Sequence, residues 1–215
     1  MPLGELFIDV ETVPTTPHRP EVLTWLAARA LAKGTSPEDT EKEYRATSLS
    51  PVLGELAVVS YALDDGEPIT YARDFSSATG ERDLVHQVAE DLRDLDEERR
   101  LHRVVAHNAA FDRTMLRTRA MVHGVKLPYW AHALRLKPWD SPWWCTQEAL
   151  RADYRGGSSL DAACVAFGIP LLKGDIDGSK VWDAICAGRI DEVAAYCADD
   201  VRRVRAVYRR IMGVV

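Results

Sequence analysis

The sequence predicts an α/β fold in which a central sheet containing one hairpin is flanked by helices. Two observations predict it. Strand-like apolar runs at 6–10, 55–63, 68–74 and 103–106 fall in the first half of the chain, the last of them between two helical stretches. After residue 145 the apolar spacing is helical almost throughout. A chain of 215 residues that is 47% hydrophobic and 28% charged can fill one core and has an ordinary globular composition. Recurrent blocks of Leu, Val, Ile and Trp exclude disorder as the main state.

Each element has a local reason. Leu6–Val10 is a short buried strand that Pro14 closes. Residues 20–33 carry helical periodicity and stop at Gly34. Ser36-Pro37-Glu38-Asp39 joins an N-cap to a proline at the first helical position, which predicts a second helix to about Arg45. Asp64-Asp65-Gly66 is a hairpin signal between the strands at 55–63 and 68–74. An acidic amphipathic helix covers 80–98, a strand covers Arg103–Ala106, and Asn108 caps a helix running to about His123. The stretch from Lys126 to Trp144 holds three prolines and four of the six tryptophans and reads as an ordered loop. Residues 145–153 suit one helix, and Gly156-Gly157-Ser158-Ser159 breaks the chain. Ser158 with Asp161 makes a capping-box pattern for a helix ending before Gly168. A polar turn at 173–180 precedes helices at 181–187 and 190–212. The expected organisation is a single domain over 1–215 with a helical insertion at about 14–54.

The formal net charge is −6, unevenly spread: residues 1–100 carry 21 acids and 10 bases, residues 101–215 carry 12 and 17. The basic half weakens the objection that an acidic chain poses to a nucleic-acid partner, because local field steers a polyanion. No apolar run approaches the roughly 18 residues a membrane helix needs. Residues 1–13 lack the marks of a signal peptide, so a cytoplasmic address and no membrane partner are expected. Cys145, Cys164, Cys186 and Cys197 form no CxxC pair, lie in stretches that read as helical, and are expected to be buried free thiols.

Three segments carry chemistry. Asp9 and Glu11 are two apart at the end of an apolar strand, so their carboxylates share a face. Like charges about 4 Å apart repel by roughly 4 kcal/mol at an effective dielectric near 20. A proton or a hard divalent cation such as Mg²⁺ or Mn²⁺ between them relieves that. Alone, the pair also fits a solvated strand end. In Val104–Asp112 a strand runs into a helix N-terminus, bringing Asp112 near the strand end; alone, the segment fits better as an ordinary Asn108 cap with Asp112 on the helix dipole. Tyr196 and Asp200, four apart, share a face of the last helix, and Asp199 lies off it. A tyrosine hydroxyl beside a metal-bound carboxylate can position water, although a pKa near 10 makes it a poor base at neutral pH.

Together, Phe7-Ile8-Asp9-Val10-Glu11-Thr12, His107-Asn108-Ala109-Ala110-Phe111-Asp112 and Tyr196-Cys197-Ala198-Asp199-Asp200 resemble the three exonuclease motifs of the DEDD superfamily of DnaQ-like enzymes. The Tyr-x-x-x-Asp spacing matches its tyrosine branch. The wider pattern, including the insertion after the first motif and Lys173–Ser179, is similar to the predicted 3′–5′ exonucleases related to the proofreading domain of family-B DNA polymerases.

The resemblance implies a ribonuclease-H-like sheet whose hairpin strand is antiparallel. It implies two Mg²⁺ or Mn²⁺ ions held by Asp9, Glu11, Asp112 and Asp200, with Asp9 bridging, and Tyr196 orienting the attacking water. His107, Asn108 and Phe111 would bind substrate. The reaction would release nucleoside 5′-monophosphates from the 3′ end of single-stranded or frayed nucleic acid, DNA favoured over RNA. Proofreading would need a replication or repair partner. Exoribonuclease activity from the same site, a non-catalytic nucleic-acid-binding subunit and a hydrolase of small nucleotides are the alternatives. Arg202, Arg203, Arg205, Arg209 and Arg210 could meet phosphates or form a solvated helix face. Trp130, Trp139, Trp143 and Trp144 could stack on bases or pin the loop to the core.

Overall fold

The computed structural model describes residues 4–98, 101–132, 140–151, 157–171 and 174–214. Its centre is β1 (Gly4–Val13), in a five-stranded sheet of order β3-β2-β1-β4-β5. β2 (Glu55–Leu63) runs antiparallel to both β1 and β3 (Ile69–Ala72). β4 (Leu101–Ala106) is parallel to β1, and β5 (Trp143–Cys145) is parallel to β4. The sheet is therefore mixed, with β2 as its antiparallel strand.

β1 and β2 read as near-continuous apolar runs because both faces of the sheet are covered. Leu6, Ile8 and Val10 point to one face, where they pack with Leu84, Val88 and Leu92 of α3 (Gly80–Glu98) and Leu116 of α4 (Ala109–His123). The alternate residues point to the other face, under α9 (Ile190–Met212). There Phe7 packs with Val201, Val204 and Tyr208, while Val13 packs with Val193 and Cys197. Asp9 and Glu11 belong to this second set and stand between two apolar anchors.

Helices α1 (Pro20–Lys33) and α2 (Pro37–Ala46) and a 3₁₀ turn at Thr47–Leu49 lie between β1 and β2. Gly34 ends α1 in the left-handed conformation at φ 63°, and the Ser36 hydroxyl accepts from the Asp39 amide at 3.1 Å to start α2. The remaining helices are α5 (Tyr129–His132), α6 (Thr146–Leu150), α7 (Leu160–Phe167) and α8 (Val181–Cys186).

Two buried polar clusters fix the sheet to its surroundings. Glu55 accepts from the Thr16 amide at 2.5 Å and pairs with the buried Arg73, tying the chain beyond β1 to the start of β2. Glu81 of α3 takes both ends of the Arg119 fork at 2.7 Å, the His123 ring at 2.8 Å and the Leu56 amide at 2.7 Å. This second cluster locks α3, α4 and β2 together.

Several local expectations are corrected. The stretch expected to be loop contains α5 and β5, so Cys145 lies in a strand rather than a helix. Trp143-Trp144-Cys145 is extended because its backbone completes β4, with Val104 opposite Trp143. The cap of α7 is Ser159, which accepts from the Ala162 amide at 3.2 Å, and not Ser158. Cys186 is exposed, and Cys145 is only partly covered. β3 is shorter than 68–74. The expectations at Trp139, 152–156 and Lys173 lie outside the described residues. Among the described residues no helix is long and apolar enough to cross a membrane.

Candidate active site

The site forms where three elements meet: the C-terminal half of β1, the first turn of α4 and the first half of α9. Asp9 and Glu11 project from β1 toward α9, and directly beyond them, between Glu11 and Thr12, the pairing with β2 shifts by one residue, leaving Ala57 of β2 as the extra one. Such a bulge raises local twist. On α9 the thiol of Cys197 sits against Asp9, donating to its Oδ2 at 3.3 Å. One ligand atom from each of Asp9, Glu11 and Cys197 lies within 4.8 Å of the others.

Asp112 reaches the same place from α4. Its Oδ1 accepts from the Val10 amide at 3.2 Å. β1 and β4 pair only as far as Phe7 opposite Val105, so this amide has no strand partner on that edge. The carboxylate takes the position that a continued β4 would have filled. Asp200 arrives from α9, three residues beyond Cys197, and Tyr196 stands one helical turn before it on the same helix. The Nη2 of Arg203 donates to Asp200 Oδ1.

The electrostatics show that these acids crowd one another. Burial pushes the Asp9 carboxyl well above the usual range, and repulsion from Glu11, Asp200 and Asp112 adds to it. Glu11 is raised by burial, then by Asp200 and Asp112. Asp112 rises to about 7 through burial, against the pull of hydrogen bonds from its own amide and from Val10. Asp200 rises to about 6 through burial, with Arg203 holding it back. Glu11, Asp112 and Asp200 are only 8%, 3% and 7% exposed. Tyr196 is raised by burial and by the charges of Asp200, Glu11 and Asp9, so its hydroxyl keeps its proton at neutral pH. Buried carboxylate oxygens that repel one another are a donor set suited to hard divalent cations, which fits Mg²⁺ or Mn²⁺.

The expected substrate residues fare differently. His107 has both ring nitrogens engaged, Nδ1 with the Thr146 hydroxyl and Nε2 with the Ser158 carbonyl, each at 2.8 Å. Asn108 does not act as the simple cap expected of it. Its backbone is left-handed at φ 62°, its side chain makes no cap bond, and it is exposed. The Ala109 amide beyond it bonds the Cys145 sulfur at 3.4 Å, and asparagine tolerates the tight turn this demands. Phe111 is partly buried against the main core.

The arginines of α9 are mostly engaged within the protein. Arg202 pairs with Glu67, Arg205 donates to the Asp64 and Gly66 carbonyls, and Arg209 meets Asp65, so they pin α9 to the β2–β3 turn. Trp130 and Trp143 pack 6.0 Å apart, and Trp144 stacks edge-on to Tyr208 at 5.0 Å, holding this segment to the core. Sequence reasoning missed the contacts of Cys197 and Arg203 with the acids. The three-residue spacing from Asp200 to Arg203 was the available signal for the second.

Comparison with known proteins decides the family. A family model described as a predicted 3′–5′ exonuclease related to the exonuclease domain of PolB matches residues 56–214. The chain belongs to this exonuclease family. The matched span contains Asp112, Tyr196 and Asp200 and begins after Asp9 and Glu11. Members of this PolB-related exonuclease family are nuclease-type domains, and such domains generally use divalent metal ions. The fold agrees. The chain is similar to the family B DNA polymerase from the hyperthermophilic archaeon Pyrobaculum calidifontis, with a TM-score of 0.64 and 16% identity. The similarity covers 99% of this chain and 25% of the polymerase. The PolB-related exonuclease chain thus has the ribonuclease-H-like fold and spans about a quarter of that polymerase's length. No curated protein sequence matches it.

Proposed function

We propose that this chain is a metal-dependent 3′–5′ exonuclease of the tyrosine branch. It would hydrolyse the terminal phosphodiester of single-stranded or frayed nucleic acid and release nucleoside 5′-monophosphates. The observation that carries the reading is the convergence of four acids, from β1, α4 and α9, beside one phenol. DNA is favoured over RNA because the family is related to the exonuclease domain of a DNA polymerase. The same relation favours a replication or repair partner.

Asp9, Glu11 and Asp200 would hold one divalent ion, and Asp9 with Asp112 the second. Two bound ions supply an activated water and stabilise both the attacking and the leaving oxygen. The chain's own residues do the rest. Asp112 is held in one rotamer by the Val10 amide. Tyr196, kept protonated by burial and by its acidic neighbours, would donate a hydrogen bond that orients the water and would not act as a base. Asn108, exposed at the turn into α4, and Phe111 behind it would contact the terminal nucleotide. His107 would serve binding indirectly, by fixing the segment around Ser158.

A digestion series with 5′- and 3′-labelled oligonucleotides, DNA and RNA, single- and double-stranded, tests this. Stepwise shortening from the 3′ end with Mn²⁺, stopped by chelator, is the expected result. Faster loss of RNA would move the reading to an exoribonuclease. Binding without turnover in any metal would replace it with a non-catalytic subunit.

A further inference from the structure

Arg203 lies outside the four-acid motif yet contacts Asp200 and lies over the Tyr196 ring. It is buried, 6% exposed. Its Nη2 donates to Asp200 Oδ1 and its Nη1 to Asp161 Oδ1, while Nε lies 2.8 Å from Asp199 Oδ2. The guanidinium carbon sits 5.9 Å from the centroid of the Tyr196 ring. One side chain therefore meets three carboxylates and the face of the phenol.

Asp199, Asp200 and Tyr196 share α9 with Arg203, so part of this contact follows from helical spacing. Asp161 does not. It belongs to the first turn of α7, and through it Arg203 is anchored to a second element. A guanidinium is a planar fork whose N–H directions are fixed relative to one another. With one arm held on Asp161, the other arm has a set direction, and the Asp200 carboxylate it grips cannot rotate freely. A cavity of about 390 Å³ opens beside Tyr196, lined by Asp161, Lys180 and Arg203 among others.

We propose, resting on the exonuclease reading, that Arg203 is a positioning residue: anchored on Asp161, it sets the orientation of Asp200 and of the Tyr196 ring without contacting substrate. Arg203→Lys keeps the charge and loses the fork. Asp161→Ala removes the anchor at an exposed position and leaves every proposed metal ligand in place.

Steady-state digestion of a labelled single strand in Mn²⁺, with thermal melting of each variant, tests the proposal. For Arg203→Lys, kcat should fall roughly 10–100-fold with KM within about twofold and the melting temperature nearly unchanged. Asp161→Ala should show a smaller kcat loss of the same kind. The double variant should lose no more than Arg203→Lys alone, because both act through one contact. A raised KM at unchanged kcat would make Arg203 a substrate ligand and overturn the proposal. So would kcat losses that track melting temperature, or two variants that behave as wild type while Asp200→Ala is inactive. Absence of turnover in the wild type would instead defeat the exonuclease reading, and this proposal with it.

Discussion

The carboxylate of Asp112 accepts a hydrogen bond from the backbone amide of Val10 across 102 residues of sequence, at 3.2 Å. That bond separates two properties of Asp112: its shape, which closes the open edge of β1, and its charge. Asp112→Asn retains an oxygen that can accept from the amide and loses the charge. Its melting temperature should stay within a few degrees of wild type, while turnover falls on the order of 10²-fold or more. Asp112→Leu should lose both, since the buried amide is left unpaired at a cost of about 1–3 kcal/mol. Paired melting and digestion curves check the contrast.

Asp9 and Glu11 are held close together by the strand they share, and burial raises both. Relieving that repulsion should help the metal-free fold. Asp9→Asn in chelator is expected to melt at or above the wild-type temperature, while its turnover in Mn²⁺ drops by on the order of 10³-fold or more. Nucleic-acid binding measured by fluorescence anisotropy should persist.

Tyr196 acts in this account as a protonated donor. Tyr196→Phe keeps the ring against Arg203 and removes only the hydroxyl. The expected result is a kcat lower by on the order of 10²-fold with little change in KM. An unaltered kcat would remove Tyr196 from the reaction.

Acid stability should reveal the Glu81 cluster. Burial alone would push the Glu81 carboxyl up, but His123, the Arg119 fork and the Leu56 amide outweigh it and bring it to about 2. An unfolded glutamate titrates near 4.3. The group's contribution, about 3 kcal/mol at most by that shift, is complete above pH 5 and lost as pH falls toward 2. Glu81→Gln should therefore destabilise the protein at pH 7, by about 3–5 kcal/mol because Arg119 is left buried and unpaired, and flatten the decline below pH 5. Urea melts at pH 3, 5 and 7 measure both effects.

Most of the fold was legible because its boundaries are local. α1 stops at a left-handed glycine, α2 starts at a serine followed by proline, and β1 ends before Pro14. β5 was not legible, since three residues in a proline-rich run become a strand only by pairing with β4. The Asn108 turn was hidden for the same reason: its left-handed backbone answers a contact with Cys145 from a distant segment. The four acids could be picked out because the proposed metal chemistry restricts which residue types can serve. The setting of Arg203 could not, because its anchor Asp161 is 42 residues away and was legible only as a capping residue.

The central claim is that Asp9, Glu11, Asp112 and Asp200 hold two divalent ions between them. Anomalous diffraction from crystals grown with Mn²⁺ and a 3′-terminal mononucleotide addresses it directly. Two peaks within coordination distance of these four carboxylates are predicted, with Asp9 shared by both. A structure at saturating Mn²⁺ that has no peak among the four acids would contradict the account.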